Sequence, residues 1–339
     1  MNARRPQALV VANPAAGGSP LVSAGTVIDH LVQHDFDVTS LLTARRGDAV
    51  EKVAEAVQRG TSSNRPLDVV VAVGGDGTVR EVVEGILRGD GRWPSDAREH
   101  DAEIREAPAL FVAPGGTGNS WYRALFADIA LDVALDQVFG DGRAGARRRW
   151  LDTARLVESD QAVVLGASAG FLAQVLERAR QITGVSGRQR YEQAALELLE
   201  HSDGLGTDVR VVVDGVVVVE GRQLLVAVGG ARHRGGAFEL LPRSVLDDGL
   251  LDVCAIASTS RIRLGELLLA VTEGTHLNEP EVVYAQGTTV TIHALGTSAT
   301  PMESDGDVFE GDASRRLSAT FEIICAALEV WAGDPPLSG

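Results

Sequence analysis

The stretch Val69-Val70-Val71-Ala72-Val73 runs straight into Gly74-Gly75-Asp76-Gly77-Thr78, so an apolar strand delivers three glycines, an aspartate and a threonine. Val79, Val82, Val83, Ile86 and Leu87 then recur at helical spacing, which places this loop at a helix start. A helix start offers unpaired backbone N–H groups and the positive end of the dipole, which suits phosphate. Glycines let such a ligand approach the main chain closely. Thr78 and Glu81 have the T-x-x-E spacing of a capping box, which predicts where the helix begins. Asp76 cannot attract phosphate directly, because like charges repel; a carboxylate here suits Mg²⁺ or a hydroxyl. An ordinary tight turn with a capped helix is the other reading. The dinucleotide fingerprint does not apply, because its sixth position would be Arg80.

A second loop of the same kind follows the apolar run Leu110-Phe111-Val112-Ala113: Pro114-Gly115-Gly116-Thr117-Gly118-Asn119. Asn13 ends a third apolar run, Leu9–Ala12, and precedes Gly17-Gly18. Parallel strands place such loops together at the carboxyl edge of their sheet, where open α/β folds bind ligands. The combination reads as a nucleotide-phosphate site.

The elements that must position these loops alternate. Strands are predicted at Leu9–Ala12, Val38–Thr43, Val69–Val73 and Leu110–Ala113, and helices at Asp48–Arg59 and from Thr78. That alternation implies a parallel α/β sheet over roughly the first 140 residues. Residues 89–107 read as a polar surface loop, and Gly140–Arg149 as a crossing between domains. Beyond it the pattern turns β-rich. Val209–Val213, Asp214-Gly215 and Val216–Val219 form a hairpin signal, since Asp-Gly suits a type I′ turn. Further strands are expected at Leu224–Val228, Leu250–Ile256 and Val290–His293, with helices at Phe171–Ile182 and Tyr191–Leu199. The apolar run Leu317–Trp331 is expected to return to the first domain.

Composition narrows the function classes. The 339 residues carry 31 basic and 47 acidic side chains, a formal charge of −16. That opposes nucleic-acid binding and a polybasic clamp on anionic lipid. Lys52 is the sole lysine, and no Gly-Lys-Ser/Thr occurs, so a Walker A loop is excluded. Phosphate handling must rest on backbone amides, arginines and a metal. Cys254 and Cys325 lie in apolar runs without CxxC or HExxH, so zinc is not expected and a reducing cytoplasm is. Arg4-Arg5 and the five apolar residues after Gln7 mimic a signal peptide but read better as a first strand. No run reaches the ~18 apolar residues of a membrane span.

These motifs, in this order, resemble the catalytic domain of diacylglycerol kinases, lipid kinases related to sphingosine kinases and more distantly to NAD kinases. The resemblance extends through Gly235-Gly236, Leu241-Pro242 and Asp247-Asp248-Gly249-Leu250-Leu251-Asp252-Val253 to Asp305-Gly306-Asp307, where the family carries Asp-Gly-Glu. It implies an NAD-kinase-like α/β domain with a parallel sheet (1–145 plus about 317–339) and a β-rich, sandwich-like substrate domain (146–316). It implies ATP in the cleft, near Asn13, Thr43, Gly74, Gly75, Asp76, Gly77, Thr78, Glu81, Gly116, Thr117 and Asn119. A structural Mg²⁺ would be held by the Asp248 carboxylate and the carbonyls of Val245 and Leu250. Asp307 would be the base, with Asp76 positioning the acceptor hydroxyl or a catalytic Mg²⁺. A solvated acidic loop is the plain reading of Asp307 and its neighbours Glu303, Asp305 and Glu310.

Three positions depart from the family pattern: Asp307 replaces glutamate, Ser120 stands where many members carry aspartate, and Gly166 where Phe-x-Asn is common. The implied activity is Mg²⁺-dependent transfer from ATP to a hydroxyl of diacylglycerol or a similar lipid, by a cytoplasmic enzyme with at most peripheral membrane contact. A sphingoid base or another amphipathic alcohol is the alternative acceptor, and a degenerate nucleotide-binding protein the alternative class. A homodimer is left open.

Overall fold

Four short strands, apolar except for β2, form the parallel end of the large sheet: β1 (Gln7–Ala12), β2 (Asp37–Leu42), β3 (Val69–Gly74) and β4 (Ala109–Pro114). They are seen in a computed structural model that describes residues 4–91, 93, 107–140, 146–185, 188–201, 205–234, 238–295, 300–309 and 318–333. Gly235-Gly236, Glu310 and most of the predicted 89–107 loop lie outside the described residues. The chain divides into two compact units, Met1–Asp152 with Ile324–Gly339, and Thr153–Ile323.

In the first unit the strands pair in parallel in the order β2-β1-β3-β4. The register aligns Ala12 with Leu42 and Val73, and Gly74 with Pro114, so all four carboxyl ends fall on one edge. β3 is buried along its whole length, which explains its unbroken apolar run. Helices α1 (Pro20–Gln33), α2 (Asp48–Ser62) and α3 (Asp76–Gly89) follow the first three strands; α4 (Ser120–Phe126) and α5 (Leu131–Phe139) follow β4. Because β1 lies between β2 and β3, the chain leaves it in opposite directions, and ligands in such sheets bind at that switch point. Residues 146–156 form strand β5.

The second unit opens with β6 (Gln161–Val163) and β7 (Gly166–Gly170), then the helical pair α6 (Phe171–Gln181) and α7 (Arg188–His201). Next come β8 (Thr207–Val213) and the long β9 (Val216–Gly229), with Asp214 and Gly215 both at positive φ (47° and 81°), as a type I′ turn requires. β10 (His233–Arg234), β11 (Phe238–Glu239), β12 (Leu251–Ala257), α8 (Arg261–Thr272), β13 (Val282–Gly287), β14 (Thr289–Ala294), β15 (Met302–Ser304), β16 (Asp307–Val308) and β17 (Ser318–Gly333) complete the chain. β12 and the second half of β9 bury both faces. Val226, Val228, Val253 and Ala255 enter one apolar cluster with β8 and β14. Leu225, Ala227, Cys254 and Ile256 enter another with α6 and α8. The period-2 alternation thus splits one strand pair between two cores. β17 pairs with β14 through Ser318–Glu322, and further along, its Val330 pairs with Leu110 of β4 in the first unit. No described helix is long and apolar enough to cross a membrane.

Candidate active site

The loops at the carboxyl edge of the first sheet are joined backbone to backbone. Asn13 N donates to Val73 O (3.1 Å), Gly115 N to Gly74 O (3.1 Å) and Gly18 N to Gly115 O (3.2 Å). Side chains of three sequence-predicted residues reinforce this. Asn13 Nδ2 donates to Thr78 Oγ1 (3.2 Å). Asn119, at φ 50°, accepts Gly116 N at Oδ1 (2.9 Å) and returns Nδ2 to Gly116 O (3.0 Å). Asp76 Oδ1 accepts Trp121 N (3.1 Å) and Oδ2 accepts Ser120 N (3.3 Å), so this carboxylate caps α4 across a gap of 44 residues. Asp76 spends two of its roughly four lone-pair positions there and keeps the others.

The start of α3 differs from the capping-box expectation. The helix begins at Asp76, with Gly75 as its N-cap in extended conformation and no side-chain cap. Thr78 pairs with Asn13 instead, and Glu81 Oε1 accepts Gly47 N (2.9 Å). Tertiary partners within reach displaced the local ones. Glu81 thereby holds the loop that follows β2 and carries Thr43, whose N–H donates to Ala12 O (3.0 Å). Asp48 fixes the same loop, accepting Ala44 N (2.8 Å) and Lys52 Nζ (2.7 Å). Its bond to Lys52 holds the Asp48 carboxyl below the usual carboxylate range. The single lysine is therefore committed to a structural contact. Neither Asp48 nor Gly47 is signalled by the sequence as part of the site.

With Asn119, Gly115 and Gly116 engaged inside their own loops, the first amides of α3 are the donors the helix itself cannot satisfy. The glycines permit the approach. A Cβ on Gly18 would lie 2.8 Å from the carbonyls of Gly115 and Gly116, and one on Gly116 would overlap Gly75 Cα. Gly116→Ala is accordingly expected to force the two loops apart and cost about 1–3 kcal/mol of stability, measurable by urea denaturation.

The second unit contributes a different arrangement. Asp305 and Gly306, at φ 50° and 83°, form the two-residue turn between β15 and β16, and Asp307 opens the return strand. Asp305 is buried and accepts three backbone N–H groups, Val164 (2.9 Å), Leu165 (2.8 Å) and Gly166 (3.2 Å). Glu303, also buried, accepts Ser168 Oγ (2.6 Å) and Gly306 N (2.9 Å). Both carboxylates hold the hairpin onto β7. Asp307 is the accessible one, 32% exposed, with Oδ1 3.9 Å from a guanidinium nitrogen of Arg180. Gly166 sits at φ +143°, where a Cβ would collide with Val228 O, so a close strand approach accounts for this departure. Asp305→Ala would leave three buried amides unpaired and is expected to cost about 3 kcal/mol of stability, read by urea denaturation.

The Asp247–Val253 segment contains an Asx turn: Asp248 Oδ1 accepts Leu250 N (3.0 Å) around Gly249 at φ 75°. Asp248 and Val245 are exposed. Asp252 is fully buried; its Oδ1 accepts Tyr284 OH (2.7 Å) and Gln286 Nε2 (2.9 Å). Burial pushes its carboxyl above the usual range, against the pull of those hydrogen bonds. Ser244 lies beside Asp252, and its side chain adds to the hydrogen bonding that opposes the effect of burial. No set of three or more His, Cys, Asp or Glu side chains is placed to hold a metal among the described residues.

Comparison with known proteins gives consistent results. Residues 7–146 match the family model of the diacylglycerol kinase catalytic domain, and residues 166–332 match that of the YegS C-terminal NAD kinase beta sandwich-like domain. A diacylglycerol kinase of Staphylococcus haemolyticus is 26% identical over 327 residues, covering 95% of this chain and 87% of the relative. One of Mycobacterium tuberculosis is 27% identical over 325 residues, covering 94% and 92%. The crystal structure of a diacylglycerol kinase from Bacillus anthracis superposes with a TM-score of 0.64 at 20% identity, covering 98% and 97% of the two chains. The last comparison bears on fold alone. The two family models match in chain order, and residues 7–146 belong to the diacylglycerol kinase catalytic-domain family, a family of kinases acting on an alcohol group.

Proposed function

We propose that this chain transfers the γ-phosphoryl group of ATP to a hydroxyl of diacylglycerol or a closely similar lipid. The observation that carries the reading is the meeting of three glycine loops around the start of α3, where unsatisfied amides face the carboxyl edge of the sheet. Asn13, Thr78 and Asn119 hold those loops, and Glu81 holds the Thr43 loop. ATP phosphates are bound at the start of α3, where the N–H groups of Asp76 and Gly77 have no acceptor within the helix, beside the Thr117 loop. In the transfer step the acceptor oxygen bonds to the γ-phosphorus. The bond from that phosphorus to the β-bridging oxygen breaks, and ADP leaves with the electron pair. The hydroxyl proton passes to the Asp307 carboxylate, which releases it to water. Asp76 orients the reacting groups through its remaining lone pairs.

The loop at Val245, Asp248 and Leu250 fits a hard divalent cation: one carboxylate and two carbonyls are oxygen donors of the kind Mg²⁺ takes. When bound, Mg²⁺ there rigidifies the loop, and Mg²⁺ carried with ATP neutralises phosphate charge.

The test is transfer from γ-labelled ATP with Mg²⁺ to diacylglycerol in mixed micelles, run beside a sphingoid base and a total lipid extract. Labelled phosphatidic acid is the expected product. Labelling of a different alcohol moves the acceptor assignment. ATP binding without labelling of any lipid makes the chain a nucleotide sensor and overturns the reading.

A further inference from the structure

Helix α3 starts at the carboxyl edge of the sheet, and one of its faces is turned to α2. Glu81, Gly85 and Gly89 recur at four-residue spacing and share that face. A Cβ on Gly85 would lie 2.7 Å from Val53 Cβ, and one on Gly89 would lie 2.8 Å from Ala54 O and from Val57 Cβ. The helices thus touch at distances that only glycine permits, which fixes α2 against α3. Glu81 extends the same face one turn nearer the sheet edge. Its side chain is 11% exposed, and its Oε1 accepts the N–H of Gly47, the N-cap of α2 (2.9 Å).

Gly47 closes the loop that leaves β2. At the start of that loop Thr43 N donates to Ala12 O (3.0 Å), and Ala44 N donates to Asp48 Oδ2 (2.8 Å). Those two bonds tie the loop to β1 and to α2. The bond from Gly47 ties it to α3, the helix at whose start the phosphates are placed. The ends of β2 and β3 flank β1, so the two loops stand two strand spacings apart, about 10 Å. A nucleotide with its phosphates at the start of α3 lies across the end of β1, the switch point, and brings its nucleoside to the loop after β2. We propose that Glu81 is a positioning residue for the nucleoside end of ATP. It touches no part of the nucleotide. Through Gly47 it sets the distance between the Thr43–Gly47 loop and the start of α3. The role rests on the proposed kinase reading, and every residue in it belongs to the first unit.

Glu81→Asp keeps the charge and loses the reach to Gly47, whereas Glu81→Gln keeps an acceptor at the same reach and loses the charge. The test compares these full chains with wild type and Glu81→Ala. It reads KM and kcat for ATP with Mg²⁺, and inhibition by inorganic tripolyphosphate, which has no nucleoside. Glu81→Asp and Glu81→Ala should raise KM for ATP about tenfold, the worth of one buried hydrogen bond. In both, kcat and inhibition by tripolyphosphate should stay within about twofold of wild type. Glu81→Gln should recover most of the affinity for ATP. If Glu81→Ala does not fold, the contrast between the other two variants decides. Loss in Glu81→Gln with retention in Glu81→Asp would assign the effect to charge. Equal weakening of ATP and tripolyphosphate would assign it to a general loosening of the fold. Either result overturns the role, as does an unchanged KM in Glu81→Asp, and each leaves the kinase reading intact. Absence of transfer by the wild type to any lipid overturns that reading and this role with it.

Discussion

Asp76→Asn is expected to reduce phosphoryl transfer about 10³-fold while the chain stays folded. The carboxylate accepts the N–H groups of Ser120 and Trp121 and so fixes where α4 begins. An amide in its place keeps one acceptor and turns an N–H toward a backbone N–H. The start of α4 then shifts, and Asn119, which precedes it and grips Gly116, shifts with it. Displacement of about 1 Å in a site of this kind costs about 10²-fold. Loss of the charge that orients the reacting groups accounts for a further tenfold or more. The stability loss is that of a helix cap, about 1 kcal/mol, so thermal melting should remain cooperative and close to wild type. Initial rates with labelled ATP check the first effect, and the melt checks the second. A variant that transfers at the wild-type rate would remove Asp76 from the mechanism.

Asp307→Ala is expected to lower kcat by about 10²- to 10⁴-fold, the usual worth of a general base. Its side chain is one-third exposed and its structural neighbours Glu303 and Asp305 carry the hairpin, so stability should change by no more than about 0.5 kcal/mol. The contrast with Asp305→Ala, which should unfold more readily yet differ little in the chemistry of the remaining folded fraction, separates base from scaffold. Asp307→Glu restores the longer side chain of the family pattern and reaches about 1 Å further. It is expected to raise the transfer rate, since misplacement of that size is costly. Equal rates for wild type and Asp307→Ala would assign the base elsewhere.

Much of the architecture is written locally. Apolar runs of five residues, each followed by a glycine-containing loop, mark β1, β3 and β4, and the Asp214-Gly215 pair marks the β8–β9 turn. Helix α1 is not marked. Ser19 makes no capping bond, and Gly25 with the β-branched Val22, Thr26, Val27 and Ile28 lowers its intrinsic propensity. It forms because Ala24, Val27 and Leu31 are buried, and its Ser23 Oγ ties it to Pro114 O (2.6 Å). The capping-box spacing at Thr78 and Glu81 shows the opposite failure. A valid local pattern lost to Asn13 and Gly47, which are 65 and 34 residues away.

The order of the motifs, the positions of their glycines and the absence of a usable lysine are properties of the sequence by itself, because strand periodicity and backbone freedom depend on near neighbours. Which carboxylate does what was decided by the tertiary structure. Asp76, Glu303, Asp305 and Asp307 are all carboxylates, and the last three lie within five residues of one another. Folding buries Glu303 and Asp305 under backbone and hydroxyl donors, turns Asp76 onto a distant helix start, and leaves Asp307 accessible beside Arg180. A carboxylate's role follows from which donors reach it and how much water it keeps. Both are set by contacts that only the folded chain brings together.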